Sequence, residues 1–242
     1  MGKYYHKIRY NSIFFLLIIF ILALLVRQLY SQSLKTNVFR NRLPLSERVI
    51  VIDPGHGGVD GGSTYKDGTL EKDINLQVSL KVKKLLEREG TNVIMTRAKD
   101  IALDHLNKKS EYRHKRDLIS RVDIINSIAP EIFLSIHVNA QAGSCQTSGP
   151  MVFFNLNSVE GRRAAKLIQR KLEQAYKQFG HNVKTREPLA NTSLYLLCNT
   201  KYPGVIVELG FITNAKDREL LKTPEFQENV SKAIVSALED FF

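Results

Sequence analysis

The chain holds only two cysteines, Cys145 and Cys198, in 242 residues. Two thiols make no disulfide framework, so an ordinary core must hold the fold. Both read as free, small core or surface residues. Acidic residues are nearly missing from the first 48 positions, where Glu47 stands against eight Lys and Arg, a net +7. The remainder nets only +4 of the total +11. The basicity therefore belongs mostly to the leader, and the expectation is no nucleic-acid partner. Internal repeats and low-complexity segments are absent. No phosphate-binding loop is present either: Gly57-Gly58-Val59-Asp60-Gly61-Gly62 lacks the Gly-Lys-Ser/Thr ending. Neither a thiol nucleophile with a partner nor a Ser-His-Asp order competes.

One long apolar run is present. Between Arg9 and Arg27 lie 17 uncharged residues, and 13–26 is apolar throughout. That is near the lower limit for a membrane-spanning helix. Lys3, Lys7 and Arg9 precede it, and Tyr4, Tyr5, Tyr10 and Tyr30 sit where an aromatic belt falls. No small-x-small cleavage site follows Val26. The expectation is an uncleaved signal anchor over 1–30, a linker over 31–47 and one exported domain over 48–242.

Beyond the leader, strand and helix patterns alternate. Strands are expected at 49–53, 92–96, 131–138, 149–155 and 205–209. Helices are expected at 70–88 with Thr69 as cap, 117–129, 158–179 and from Thr223-Pro224 to the C-terminus. The charged stretch 98–116 reads as a solvated loop. Such alternation predicts an α/β fold, a mainly parallel sheet with helices on both faces.

Three of these strands finish on one ionisable group each. Arg48-Val-Ile-Val-Ile runs into Asp53-Pro54-Gly55-His56-Gly57-Gly58. A second strand ends Ser135-Ile136-His137-Val138-Asn139, and a third reads Val205-Ile206-Val207-Glu208-Leu209. In a parallel sheet these ends share one edge, where sites are built. An unpaired carboxylate inside an apolar strand costs several kcal/mol, about the scale of a small protein's whole stability, so Glu208 points to a cation or a catalytic task. Two histidines and a carboxylate, with one position left for water, are the ligand set of a hydrolytic zinc site. Glu71, at the start of the helix after the glycine-rich loop, is a candidate for that carboxylate, and Asp53, Asp60 and Asp73 are the alternatives. Glu208 remains to move the proton. Asp53 is expected to orient a ligand histidine. His6, His105, His114 and His181 read as surface residues.

In order and spacing, Val51–Gly58, Leu70–Asn75, Val93–Arg97, Ser135–Ala140 and Val207–Asn214 resemble the zinc-dependent N-acetylmuramoyl-L-alanine amidases of the Amidase_3 family. The resemblance covers about 49–242. It implies a six-stranded α/β sheet, Zn2+ as cofactor, peptidoglycan as substrate, and hydrolysis of the amide joining muramic acid to the first L-alanine. It places the metal ligands on His56, Glu71 and His137 and the catalytic glutamate on Glu208, with Asn139 and Arg121 in supporting roles. One anchor plus a bare domain is similar to the spore-cortex members of the family, whose work precedes muramic-δ-lactam formation. An accessory exported protein is compatible with this but not readable from the residues. Two other classes use the same residues: another zinc wall-peptide hydrolase, such as a carboxypeptidase, and an anchored binding module without catalysis.

Overall fold

A computed structural model describes residues 19–28 and 44–242. Most of the expected anchor and linker lies outside the described residues. Residues 19–28 are helical, with Phe20, Leu22 and Val26 among the exposed apolar side chains. Among the described residues no helix is long and apolar enough to cross a membrane. The chain divides into two units, Met1–Leu43 and Pro44–Phe242. The second unit starts inside the expected linker because Leu45 is fully buried and its carbonyl accepts from Thr91 Oγ1 at 2.9 Å.

Within that unit the chain runs β1 (Val49–Pro54), α1 (Glu71–Arg88), β2 (Asn92–Met95), α2 (Arg113–Ile128), β3 (Ile132–Asn139), β4 (Met151–Asn155), α3 (Val159–Gln178), β5 (Leu189–Asn191), α4 (Tyr195–Asn199), β6 (Gly204–Phe211), α5 (Ala215–Lys222) and α6 (Pro224–Phe241). The six strands form one sheet in the order β2-β1-β3-β6-β4-β5. Every neighbouring pair is parallel except β4 with β6. The α/β class and mainly parallel six-stranded sheet expected from the sequence are therefore present.

The continuous apolar runs of β1, β3 and β6 follow from burial on both faces. Alternate residues point opposite ways. Ile50, Ile52, Leu134, Ile136, Val205 and Val207 join a core with α1, α3 and α6. Val51, Phe133 and Ile206 face α2 and α4, where Val122, Ile125, Leu196 and Leu197 close a smaller core. Fully burying such a side chain contributes about 1.5–3 kcal/mol, so the larger core dominates stability. The α2/α4 side covers less of the sheet and leaves room near the strand ends.

Several local expectations are corrected. Thr69 does not cap α1. Its amide and hydroxyl both donate to Asp67 Oδ1, and Leu70 holds the cap position without a side-chain bond. The helix expected at 117 starts at Arg113, after a short 3-10 turn at Asp104–Leu106. Arg116 ties that turn to the helix through the carbonyls of Asp104, Ser110 and Glu111 at 3.2, 2.9 and 2.8 Å. His181 is buried rather than exposed, with Nε2 2.9 Å from Asp217 Oδ1. The short β5, α4 and α5 were not legible from periodicity. Cys145 and Cys198 are free and exposed.

Candidate metal centre

β1, β3 and β6 are neighbours and run parallel, so their carboxyl ends reach the same edge. β1 ends in Pro54, and Gly55 carries the chain to His56. A Cβ at Gly55 would overlap the His137 ring, so glycine there lets the two imidazoles approach. Their ring centroids are 5.1 Å apart and nearly perpendicular, at 80°. His56 has φ +60°, a left-handed conformation that costs a non-glycine residue about 1–2 kcal/mol.

Glu71 opens α1 and is buried between the histidines. Its Oε1 lies 3.2 Å from His56 Nε2 and 3.0 Å from His137 Nδ1. Ser63 N–H donates to its Oε2 at 2.8 Å, and Val138 N–H donates to Oε1 at 3.2 Å. Burial alone would raise the Glu71 carboxyl, but its bonds to His137 and His56 and their charge hold it far below the usual carboxylate range. Burial likewise opposes charge on His56, yet Glu71 and Asp60 raise it to about 9. His56, Glu71 and His137 each offer a donor atom, all within 4.8 Å of one another. This set fits a divalent ion with nitrogen and oxygen preference.

Glu208 stands opposite His137 in the β3/β6 register. Its Oε2 is buried and has no hydrogen-bond partner. Burial pushes its carboxyl up to about 7, with His137 and His56 working against the shift and Glu71 with it. A carboxyl poised there exchanges protons readily at neutral pH. An orphaned acceptor beside two imidazoles and a carboxylate is what a site built for a cation and its water leaves behind.

The carboxylate that holds a histidine is Asp60, not Asp53. Asp60 Oδ2 lies 3.0 Å from His56 Nδ1, leaving Nε2 for the shared centre. Asp53, fully within the sheet, is bonded to Arg121 Nη1 at 2.6 Å, Thr96 Oγ1 at 2.6 Å and Ser135 Oγ at 2.7 Å. Arg121 also donates to Asp117 Oδ1 at 2.6 Å, to the Pro54 carbonyl at 2.8 Å and to the His56 carbonyl at 2.6 Å. It thus braces the loop that carries His56. Asn139 turns to its own loop, accepting from Ala140 N–H at 2.8 Å. Arg97 and Asn75 went unassigned in the sequence. Asn75 bridges the Gly55 carbonyl and Glu71 Oε1, both at 3.3 Å, and its spacing four residues after Glu71 was the available signal.

A cavity of about 220 Å³ opens beside the two histidines on the α2/α4 side. Leu118, Tyr195, Leu196 and Ile206 give it apolar walls, and Arg121 also lines it.

A mainly parallel α/β sheet whose strand ends gather two imidazoles and two carboxylates beside a cavity is the arrangement of a candidate hydrolase-type metal site. The chain belongs to the Amidase_3 family, N-acetylmuramoyl-L-alanine amidase, whose profile matches residues 50–240. The germination-specific N-acetylmuramoyl-L-alanine amidase of Bacillus subtilis is 36% identical over 201 residues, spanning 83% of this chain and 82% of that protein. The structure of the CwlD amidase from Clostridioides difficile in complex with the GerS lipoprotein aligns with TM-score 0.74 and 32% identity, covering 81% of this chain and 98% of that one. The amidase AmiC2 of Nostoc punctiforme aligns with TM-score 0.67 and 27% identity, covering 80% and 96%.

Proposed function

We propose that this chain is a zinc-dependent amidase that hydrolyses the bond between N-acetylmuramic acid and L-alanine in peptidoglycan. The observation that carries the reading is the convergence of His56, Glu71 and His137 with the unpartnered Glu208 beside them. The three side chains would hold the ion. Zinc, when bound, supplies Lewis-acid polarisation of the carbonyl under attack and a water acidic near neutral pH. Glu208 takes a proton from the attacking water and hands it to the departing nitrogen. The new C–O bond replaces the C–N bond, leaving a lactyl carboxylate and the free amine of L-alanine. Asp60 keeps His56 turned towards the centre, and Arg121 braces the His56 carbonyl. The cavity receives groups flanking the scissile amide.

The substrate is proposed to be spore-cortex peptidoglycan, on the way to muramic-δ-lactam. Likeness to a germination-specific amidase over most of both chains supports this. The apolar run 13–26 behind its basic cluster would anchor the protein, with the amidase domain outside the cytoplasm. An exported accessory partner belongs to the same reading, because the similar CwlD was solved with the GerS lipoprotein.

Metal analysis of the purified chain, coupled to mass spectrometry of digested peptidoglycan, tests it. One equivalent of zinc and free peptides beginning with L-alanine are expected. Release of a terminal residue alone would make the protein a carboxypeptidase. No release with added zinc would leave a binding module.

A further inference from the structure

Arg97 follows β2 and is 2% exposed. Its guanidinium donates four hydrogen bonds, all to carbonyls. Nε reaches Pro54 at 2.9 Å, Nη1 reaches Lys99 at 3.0 Å, and Nη2 reaches Gly55 at 2.8 Å and Lys72 at 3.1 Å. Among the described residues no carboxylate accepts directly from it. A buried cation without an ion-pair partner is costly, and a fold that keeps one uses its fork of donors. Burial and the nearby Arg121 charge lower its pKa to about 10, so it stays charged at neutral pH.

The carbonyls it binds are informative. Pro54 and Gly55 lead directly into His56, and Lys72 directly follows Glu71. Nη2 alone spans the loop bearing one donor and the helical turn bearing another. His56 sits in a strained left-handed conformation, so that loop needs an external tether. Gly57 leaves room there, since a Cβ would overlap the Ile101 carbonyl oxygen and also press on Arg97 Nε at 2.9 Å.

We propose that Arg97 is a positioning residue that sets the spacing of His56 and Glu71, so that metal affinity depends on its guanidinium. This rests on the metal-centre reading above. Arg121 braces the same loop but is also ion-paired to Asp53 and Asp117, so its loss would disturb the sheet as well. Arg97 separates the two effects. A lysine keeps the charge but cannot span the same carbonyls with one ammonium.

The test uses the full chain. Zn2+ affinity is measured by competition with a chromophoric chelator, and Co2+ absorption reports the coordination geometry. Arg97→Met is expected to weaken zinc binding by about ten- to a hundredfold, the usual range for groups that orient ligands. Arg97→Lys should fall between it and the wild type. Leu86→Ala, which truncates the core near the far end of α1, should lower Tm while leaving zinc affinity within about twofold, as expected of distant independent sites. A folded Arg97→Met protein with wild-type zinc affinity and an unchanged Co2+ spectrum overturns the proposal. Should the Met variant not fold, the Lys variant decides by the same readings. If neither folds with or without zinc, Arg97 is a folding residue and the positioning role is overturned. A wild-type chain that binds no zinc overturns the metal-centre reading itself, and this inference with it.

Discussion

His137 and Glu208 are register partners on adjacent parallel strands, one imidazole donor beside one carboxylate with a buried, unpartnered oxygen. In the proposed mechanism this pair would place a proton carrier next to a metal ligand without making it a ligand. Glu208→Gln is therefore expected to keep metal and lose hydrolysis, by at least about a hundredfold for a general acid–base group. Peptide release from sacculi, measured alongside zinc content, checks this. A variant that cleaves at the wild-type rate removes Glu208 from the mechanism. The metal-free protein adds a second reading. The folded carboxyl titrates near 7, above its ordinary 4.5, so the folded state holds the proton more tightly and loses stability as pH rises between those values. Tm of metal-free wild type should decline from pH 5 to pH 8 by more than that of Glu208→Gln.

His137→Ala removes a donor and should abolish tight metal binding. An ion bound only by the folded state at a hundred times its Kd adds about 2.7 kcal/mol, so the variant should no longer gain Tm from added zinc. Thermal melts with and without zinc, for wild type and variant, give the comparison. An equal zinc-dependent rise in both would remove His137 from the ligand set.

Asp53 and Arg121 form a buried ion pair 2.6 Å long that knits β1 to α2. Removing one charge strands the other, at about 3–5 kcal/mol, so Asp53→Asn should lower Tm by several degrees. Burial would raise the Asp53 carboxyl, but Arg121, Thr96 and Ser135 outweigh it and hold it below the ordinary 3.8. Its contribution is thus complete above that value and is lost as pH falls through the lower folded pKa. Wild type and Asp53→Asn should differ by a constant amount from pH 5 upward, and the gap should narrow as pH falls below the ordinary 3.8, as read by denaturant melts. A gap that widens as pH falls below that value would contradict this account.

Gly55→Ala would drive a methyl into the His137 ring. The imidazole must move, so zinc affinity should drop sharply while the sheet core, remote from this edge, stays intact. Circular dichroism and zinc titration separate the two. Wild-type zinc affinity in the alanine variant would show that the ring has room to spare.

The sheet was legible because β1, β3 and β6 are buried on both faces and write that burial as unbroken Val and Ile runs. His56, His137 and Glu208 stood out because an ionisable side chain at the end of such a run has few reasons to be there. Glu71 was harder to choose, since Asp53, Asp60 and Asp73 lie nearby in the chain. Only the path of α1 brings its first carboxylate between the rings. Asp53 was misassigned because strand alternation hides depth: it points into the sheet's side, towards Arg121, while Asp60 returns to His56 through the glycine-rich turn. Arg97 closed the Val93–Arg97 motif without a role, because a guanidinium whose partners are all carbonyls leaves no pairing signal in the sequence. His181 was misread as a surface residue because its partner Asp217 lies on a helix too short to show a period.

The candidate donors come from separate elements: His56 lies in the loop after β1, Glu71 opens the helix that follows, and His137 sits in β3, which pairs with β1. No segment of the chain holds the set by itself. A polypeptide still emerging or still unfolded is therefore harmless to the wall, and so is any proteolytic piece severed between β1 and β3. Destructive capacity is withheld until assembly is finished.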